Sequence, residues 1–188
     1  MLTIVQKDVP ILREQAEKVS SRDFSSPQLK KILDNMATAL EKEADGVAIA
    51  APQIGVPLRI FLVSHRAFEF TDEQSAEPNP TDTPKTLRAN MVFINPEIIK
   101  LSRRKIWMPE GCLSVRWLYG EVHRSIKATV RAYDAEGKIF TYGGSGLLAQ
   151  IFQHETDHLN GVLFIDTARD IEKITAEEQK IRQEEIEK

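Results

Sequence analysis

The most informative stretch of this chain is residues 153–161, which read Gln-His-Glu-Thr-Asp-His-Leu-Asn-Gly. It contains the pattern HExxH. In a helix, His154 and His158 lie one turn apart on one face, where two imidazoles can bind a single divalent metal ion. Glu155 then lies close enough to exchange a proton with a water molecule at that ion. The stretch predicts a hydrolytic metal site that still needs a third ligand and a substrate.

Apolar periodicity predicts the elements on either side of this stretch. Residues 143–146, Gly-Gly-Ser-Gly, form a break before the apolar residues that open the histidine helix. Ser26 and Pro27 favour the start of an amphipathic helix over residues 27–43. Strand-like runs cover residues 58–63, 91–95, 97–107, 121–123, 128–134 and 139–142. Strands in the middle and helices near the ends predict an α+β fold rather than alternating β-α units.

The length predicts a single domain over residues 1–188. Residues 70–88 are rich in Pro, Thr, Asp and Glu, which indicates a surface loop. Thr175 and Glu178 fit a capping box, so a charged C-terminal helix is expected over residues 168–188.

Composition narrows the functional class. The net charge of −3 gives no case for specific DNA binding. No apolar run approaches the roughly 20 residues of a membrane helix, so no membrane partner is expected. The N-terminus lacks the pattern of a secretory signal, and a single cysteine forms no internal disulfide. A reducing, cytoplasmic location is therefore predicted, of bacterial type, with an organelle as the alternative.

The residue types and their spacing do not by themselves identify the third metal ligand. A catalytic zinc-like site needs three protein ligands, and the remaining candidates are Cys112, His65, His123 and the carboxylates. Cys112 follows Gly111, which allows close backbone approach, and a thiolate is a strong ligand for a borderline metal. A lone cysteine is, however, more often a small buried hydrophobe.

Three segments together carry a family resemblance. Residues 46–55 (GVAIAAPQIG), 110–114 (EGCLS) and 153–161 resemble, in order and spacing, the three signature motifs of peptide deformylases. The tetrad Pro10-Ile11-Leu12-Arg13, the pair Asn95-Pro96 and residues 161–166 also resemble that family. The resemblance extends from near the N-terminus to Asp166.

The resemblance implies a metal-dependent hydrolase that removes the N-formyl group from the N-terminal formyl-methionine of newly made polypeptides, releasing formate. It implies one metal ion held by Cys112, His154 and His158, with Glu155 as acid and base. The ion is expected to be Fe²⁺, which Zn²⁺, Ni²⁺ or Co²⁺ can replace. The side-chain amide of Gln53 and the backbone N–H of Leu113 are expected to stabilise the oxyanion.

The expected architecture is α+β, with mixed or antiparallel sheets around a central HExxH helix and a further helix near each terminus. A methionine pocket is expected, although its residues serve equally well as core, and residues 46–48 are expected to pair with the peptide. Arg124 is a candidate anchor for the peptide backbone. The residues expected to bind substrate are Gly46, Val47, Ala48, Met108, Gly111, Arg124, Leu147 and Ile151.

The chain departs from the family pattern around the substrate groove. Ala48 stands where glycine is usual, and Gln150 where arginine or an apolar residue is common. Residues 115–119 replace a more usual Pro-containing turn, and a basic residue that some relatives carry near Tyr119 is absent. These changes leave the metal site intact and put the substrate preference in question.

Two other functions remain open at this stage. An HExxH metallopeptidase would take its third ligand downstream, from Asp166, Asp170 or Glu172, and would leave the Cys112 motif unexplained. A non-enzymatic relative would bind formylated or unmodified N-termini without cleaving them. The expected partners are nascent formyl-methionyl polypeptides, with transient ribosome contact, and the chain is expected to be a monomer.

Overall fold

The computed structural model of the chain describes residues 3–69, 90–175 and 178. Its helices are α1 (Pro27–Glu41), α2 (Arg66–Glu69) and α3 (Leu147–Leu159). Its strands are β1 (Ala48–Ala50), β2 (Ile60–Val63), β3 (Met91–Leu101), β4 (Lys105–Gly111), β5 (Leu118–Ser125), β6 (Lys127–Tyr133), β7 (Ile139–Ser145) and β8 (Arg169–Lys173). Short 3-10 turns cover Pro10–Arg13, Ala51–Ile54 and Phe164–Asp166.

The strands form two antiparallel sheets. One sheet has five strands in the order β1-β2-β3-β6-β7, and the other has three in the order β4-β5-β8. Only one residue, Ile126, separates β5 from β6, so the chain passes directly from one sheet to the other. The predicted α+β class is confirmed, with antiparallel sheets and few helices.

The histidine helix α3 begins at Leu147, as the sequence predicts, and contacts strands of both sheets. Its apolar face packs on the five-stranded sheet through Phe152, whose ring centroid lies 5.3 Å from that of Phe93 and 6.4 Å from that of Phe61. All three rings are fully buried. This packing fixes the helix, because burying aromatic rings is a large apolar contribution. The last two turns of α3 carry His154, Glu155 and His158.

Helix α1 covers a second apolar cluster. The Ser26 hydroxyl accepts a hydrogen bond from the Leu29 N–H at 3.1 Å, and Pro27 occupies the first helical position. Both features were predicted, and the helix ends at Glu41, two residues before the expected end. The cluster comprises mainly Leu29, Met36, Leu40, Ile49, Ile60 and Leu62. Because the cluster includes Ile49 and Ala51, it packs against the 46–55 segment.

Three sequence-based assignments are corrected by the structure. The expected strand 97–107 is two strands, because the chain turns at residues 102–104 between β3 and β4. The Gly143-Gly144-Ser145 segment is not a break but the end of β7, paired with β6. Arg169–Lys173 forms β8 on the edge of the small sheet rather than the beginning of a helix.

Other expectations concern the ends and the long loop. The predicted loop over residues 70–88 lies outside the described residues, as does most of the predicted C-terminal helix. The capping contacts are present, since the Glu178 N–H donates to Thr175 Oγ1 and the Thr175 N–H donates to Glu178 Oε2. Within the described part of the chain, no helix combines the length and apolar character needed to cross a membrane.

Candidate metal centre and active-site pocket

The structure brings Cys112, His154 and His158 together. One ligand atom from each of these residues lies within 4.8 Å of the other two. Cys112 follows β4 directly, and its Sγ lies 3.1 Å from Nε2 of His158. The two histidines come from the last two turns of α3. The cluster therefore joins a residue of the small sheet to a helix that packs on the large one.

Glu110 orients His154. Its Oε2 lies 3.0 Å from Nδ1 of His154, which leaves Nε2 of that ring for the cluster. The same carboxylate accepts two hydrogen bonds from Arg124, at 2.7 and 3.0 Å, and Arg124 also donates to Asp157 at 2.6 Å. Burial raises the pKa of Glu110, but the hydrogen bonds from His154 and Arg124 outweigh burial and lower it to about 2.

The surroundings of Cys112 lower the pKa of its thiol. Burial raises its pKa, but the charge of His158 and hydrogen bonds with both histidines outweigh burial and lower the pKa to about 5. The Ser114 N–H also donates to Sγ at 3.4 Å. The thiolate is the form that binds metals, so these contacts favour ligation.

Glu155 lies beside the cluster and is buried, with 4% of its surface exposed. Burial raises its pKa to about 7, against the opposing charges of His154 and His158. Within the described residues, its Oε2 is a buried oxygen without a hydrogen-bond partner. A carboxylate with a pKa near neutrality can both accept and return a proton under ordinary conditions.

Gln53 and Leu113 stand at the same pocket. Gln53 lies on the 3-10 turn after β1, and its Nε2 lies 3.1 Å from the Ser114 hydroxyl and 3.6 Å from Cys112 Sγ. Leu113 follows Cys112, and its carbonyl accepts a hydrogen bond from the Gln6 side chain at 3.1 Å. The Val5 N–H donates to the Gln53 carbonyl at 2.9 Å. The neighbouring residues Val5 and Gln6 therefore bind both the Gln53 turn and the Leu113 segment.

A pocket of about 270 Å³ opens onto this cluster. The predicted site residues that line it are Gly46, Val47, Ala48, Gln53, Gly111, Cys112, Leu113, Leu147, Ile151, His154 and Glu155. His158 is 1% exposed and does not line the pocket formed by the described residues. Two of the clustered donors, Cys112 and His154, line the pocket together with apolar side chains from residues 47–48, 109–118 and 147–151.

Two residues predicted to contact substrate, Arg124 and Met108, do not line the pocket formed by the described residues. The Arg124 side chain is 8% exposed, and its guanidinium is bound to Glu110 and Asp157. Met108 lies on β4 but is absent from the pocket lining formed by the described chain. Asp157, on α3, accepts a hydrogen bond from Arg124 at 2.6 Å.

Sequence reasoning missed Glu110 and Ser114 as functional residues, although both belong to the quoted EGCLS motif. The spacing of Glu110 and Cys112 is two residues, which in extended chain places both on one face and could have indicated a shared role. The sequence does not identify Arg124 as the partner of Glu110, because the two residues meet only through the pairing of β4 with β5. The downstream acids of the peptidase alternative lie apart from the cluster: Asp166 binds Arg13 and the Leu163 N–H, and Asp170 and Glu172 lie on β8.

Apart from the buried Val115, the departures from the family pattern lie at the pocket. Ala48, Gln150 and Tyr119 line it, and the Tyr119 ring lies against Gly111, where a Cβ would meet it at 2.7 Å. Gln150 donates to the Pro109 carbonyl at 2.8 Å and so joins α3 to β4. Arg116 binds Glu43 and Asp45 across the rim. These residues shape the groove and leave the three clustered donors unchanged.

The donor set fits a divalent metal of borderline softness. It supplies one thiolate and two imidazole nitrogens, which is the three-ligand arrangement of a catalytic site with an open position. Glu110 fixes one ring, and the orphaned oxygen of Glu155 stands next to the cluster. Both observations are consistent with an ion and a water molecule at this place.

Comparison with known proteins gives a consistent result. The sequence profile described as "Polypeptide deformylase" matches residues 1–174. A peptide deformylase of Desulforudis audaxviator is 39% identical over 170 residues, covering 90% of this chain and 95% of that protein. A chloroplastic/mitochondrial peptide deformylase 1A of Arabidopsis thaliana is 37% identical over 166 residues, covering 87% of this chain and 60% of that protein.

Solved structures agree with the sequence relatives. The Met-Ala-Ser-bound crystal structure of class I type b peptide deformylase from Acinetobacter baumannii has a TM-score of 0.72 and 33% identity. It covers 88% of this chain and 97% of that one. The actinonin-bound structure of the same protein has a TM-score of 0.73 and 31% identity, over 89% and 98% of the two chains. On this agreement of sequence, fold and clustered motifs, the chain belongs to the polypeptide deformylase family.

Proposed function

We propose that this chain hydrolyses the formamide at the N-terminal formyl-methionine of newly made polypeptides and releases formate. The observation that carries the proposal is the cluster of Cys112, His154 and His158 beside a buried Glu155, of which Cys112, His154 and Glu155 line one pocket. Membership in the family is consistent with this activity. The proposal assigns each of these residues a chemical task.

Cys112, His154 and His158 would hold one divalent ion, and Fe²⁺ is proposed as that ion, with Zn²⁺, Ni²⁺ or Co²⁺ as substitutes. When bound, the ion supplies Lewis acidity, which makes water a better nucleophile at neutral pH and polarises a carbonyl. Glu110 keeps the His154 ring in the ligating orientation. Arg124 and Asp157 keep Glu110 in place in turn.

Glu155 is proposed to move the protons. Its pKa of about 7 lets it accept a proton from the attacking water and return it to the departing amine. Both transfers are needed, because an amine leaves poorly without a proton. Burial keeps this carboxylate away from bulk water, so the proton stays within the pocket.

Gln53 and the Leu113 backbone N–H are proposed to stabilise the oxyanion. Both stand beside Cys112 at the pocket, and both are neutral donors. Donors fixed before the reaction stabilise the developing charge without reorganising. An amide also avoids the ion pair that a cationic donor would form with Glu155.

The substrate is proposed to bind along one wall of the pocket. Val47, Leu147 and Ile151 line it and offer apolar surface to a methionine side chain. The edge at residues 46–48 offers backbone groups to an extended peptide. Gly111 lines the pocket on the β4 side, where the absence of a side chain leaves room for the Tyr119 ring.

The test is formate release from formyl-Met-Ala-Ser by the ferrous protein prepared without oxygen. Acetyl-Met-Ala-Ser is the matched control, because it differs by one methyl group on the scissile amide. We expect turnover of the first peptide and little of the second. A protein that holds one metal ion per chain and releases no formate would contradict the proposal.

We also propose a domain organisation, a compartment and a partner for this chain. Residues 1–188 are taken as one catalytic domain that acts as a monomer, with α3 as the centre around which both sheets pack. The working compartment is proposed to be a reducing bacterial-type cytoplasm, with an organelle as the alternative. Transient contact with the ribosome would bring the pocket to nascent chains.

A further inference from the structure

Ser114 holds a position that the proposed chemistry does not yet use. Its side chain is fully buried, and its hydroxyl oxygen accepts a hydrogen bond from Nε2 of Gln53 at 3.1 Å. This hydroxyl is two residues beyond Cys112 and faces the turn that carries Gln53. The contact joins the Cys112 segment to the segment after β1.

The orientation of the Gln53 amide is fixed from both ends. Its Oε1 accepts the Ala50 N–H at 2.7 Å, which requires oxygen on that side and nitrogen on the other. The nitrogen carries two hydrogens. The nitrogen donates to the Ser114 hydroxyl at 3.1 Å and to Cys112 Sγ, beside the proposed metal position, at 3.6 Å.

We infer that Ser114 is a positioning residue for the oxyanion donor: it binds one hydrogen of the Gln53 amide so that the other is directed at the reacting formyl oxygen. The inference rests on the proposed deformylase function. It assigns Ser114 no contact with the substrate and no contribution to metal binding through its hydroxyl. The Ser114 backbone N–H, which contacts Cys112 Sγ, is unaffected by side-chain substitutions.

Removing the hydroxyl leaves one hydrogen of a buried amide without an acceptor. Because Gln53 is 2% exposed, water does not readily replace that acceptor. The amide then rotates towards other acceptors, and the donor that serves the oxyanion is no longer fixed. We expect Ser114→Ala to lower kcat about tenfold with little change in KM, since the loss is felt mainly in the transition state.

A double-mutant cycle isolates this role. Ser114→Ala is measured in the wild-type chain and in a Gln53→Leu chain, each loaded with the same metal and assayed with formyl-Met-Ala-Ser. If Ser114 acts through Gln53, its removal costs about tenfold in the first background and almost nothing in the second. An equal cost in both backgrounds would overturn the inference, as would an unchanged kcat in Ser114→Ala alone.

Ser125→Ala is the matched control. Ser125 is also fully buried, and its hydroxyl makes one hydrogen bond, to the Ser102 carbonyl at 3.0 Å, away from the pocket. We expect this variant to keep kcat. Metal content and melting temperature are measured for all variants, and a tenfold loss of kcat that follows loss of metal would count against the inference.

A second readout is independent of turnover. The side-chain NH₂ of Gln53, followed by NMR hydrogen exchange in the zinc-loaded chain, should be protected in the wild type and in Ser125→Ala but not in Ser114→Ala. Equal protection in all three would overturn the inference. If the three chains show this pattern but the metal-loaded wild type releases no formate, the proposed function is contradicted and the positioning role of Ser114 is still supported.

Discussion

Glu110 Oε2 lies 3.0 Å from His154 Nδ1, while the same carboxylate is held by the buried Arg124. A buried arginine therefore acts on the metal cluster through one carboxylate. Groups that orient a ligating histidine in this way usually contribute substantially to metal affinity. The pair gives the first two predictions.

Glu110→Gln should weaken metal binding about 10–100-fold, because the neutral amide holds His154 less firmly and leaves Arg124 poorly paired. Competition with a chromophoric chelator measures the change. Glu121→Gln is the control, since Glu121 pairs with Arg169 at the surface and lies outside the cluster. Equal affinities for the wild type and Glu110→Gln would refute an orienting role.

The same residue predicts a pH dependence of stability in the metal-free chain. The pKa of Glu110 falls from 4.5 to about 2 on folding, so its contribution is fully present above pH 4.5 and is lost as pH falls through about 2. The contribution is about 3 kcal/mol. Urea unfolding between pH 2 and 6 should show a loss of this order in the wild type relative to Glu110→Gln. Parallel curves for the two proteins would contradict the prediction.

Glu155→Gln should keep the metal and lose about 10²–10⁴-fold in kcat, because the amide cannot accept the water proton. Formate release and elemental analysis on the same sample check both parts. Retention of metal follows from the cluster, in which Glu155 is not one of the three donors. If the variant loses its metal instead, Glu155 has a structural role and the proposed mechanism is wrong.

Cys112→Ala and His158→Ala should each lower metal content well below one ion per chain, since each removes one of three donors. His123→Ala is the control, because His123 stacks on Trp107 on β4 and does not belong to the cluster. Full metal occupancy in Cys112→Ala would favour the peptidase hypothesis, in which the third ligand lies downstream.

Gly161 and Gly55 give a matched test of packing. Both have positive φ, 74° and 78°, but a Cβ at Gly161 would lie 2.6 Å from the Arg13 carbonyl oxygen, whereas nothing lies within 4 Å of one at Gly55. Gly55→Ala should lower the free energy of unfolding by about 1 kcal/mol, because alanine is disfavoured in this backbone conformation. Gly161→Ala should cost about 1–3 kcal/mol more, from the clash with backbone. Equal losses of unfolding free energy in the two variants, measured by urea unfolding, would contradict this prediction and show that the Arg13 backbone moves to make room for the Cβ.

The helices that carry strong local signals were predicted well. Ser26 and Pro27 mark the start of α1, and the apolar run from Leu147 marks the start of α3. These signals are local, because capping and the helical period depend on residues within one or two turns. The HExxH spacing belongs to the same class, and the two histidines lie on one helix as expected.

The failures involve contacts that local sequence does not encode. All residues of β8 are exposed, so Arg169–Lys173 shows no apolar alternation and resembles a charged helix. The strand exists because it pairs with the edge of β5. The sequence also does not show that Arg124 binds Glu110 and Asp157, because these two partners come from two other elements.

Cys112 follows a strand of the small sheet, and His154 and His158 belong to a helix that packs on the large sheet. A bound ion therefore cross-links positions up to 46 residues apart, as a disulfide would, but reversibly. Ligand present at a thousand times its Kd stabilises a fold by about 4 kcal/mol. The lifetime of this protein should then follow the supply of metal, so that starvation for the ion exposes the chain to unfolding and proteolysis as well as stopping turnover.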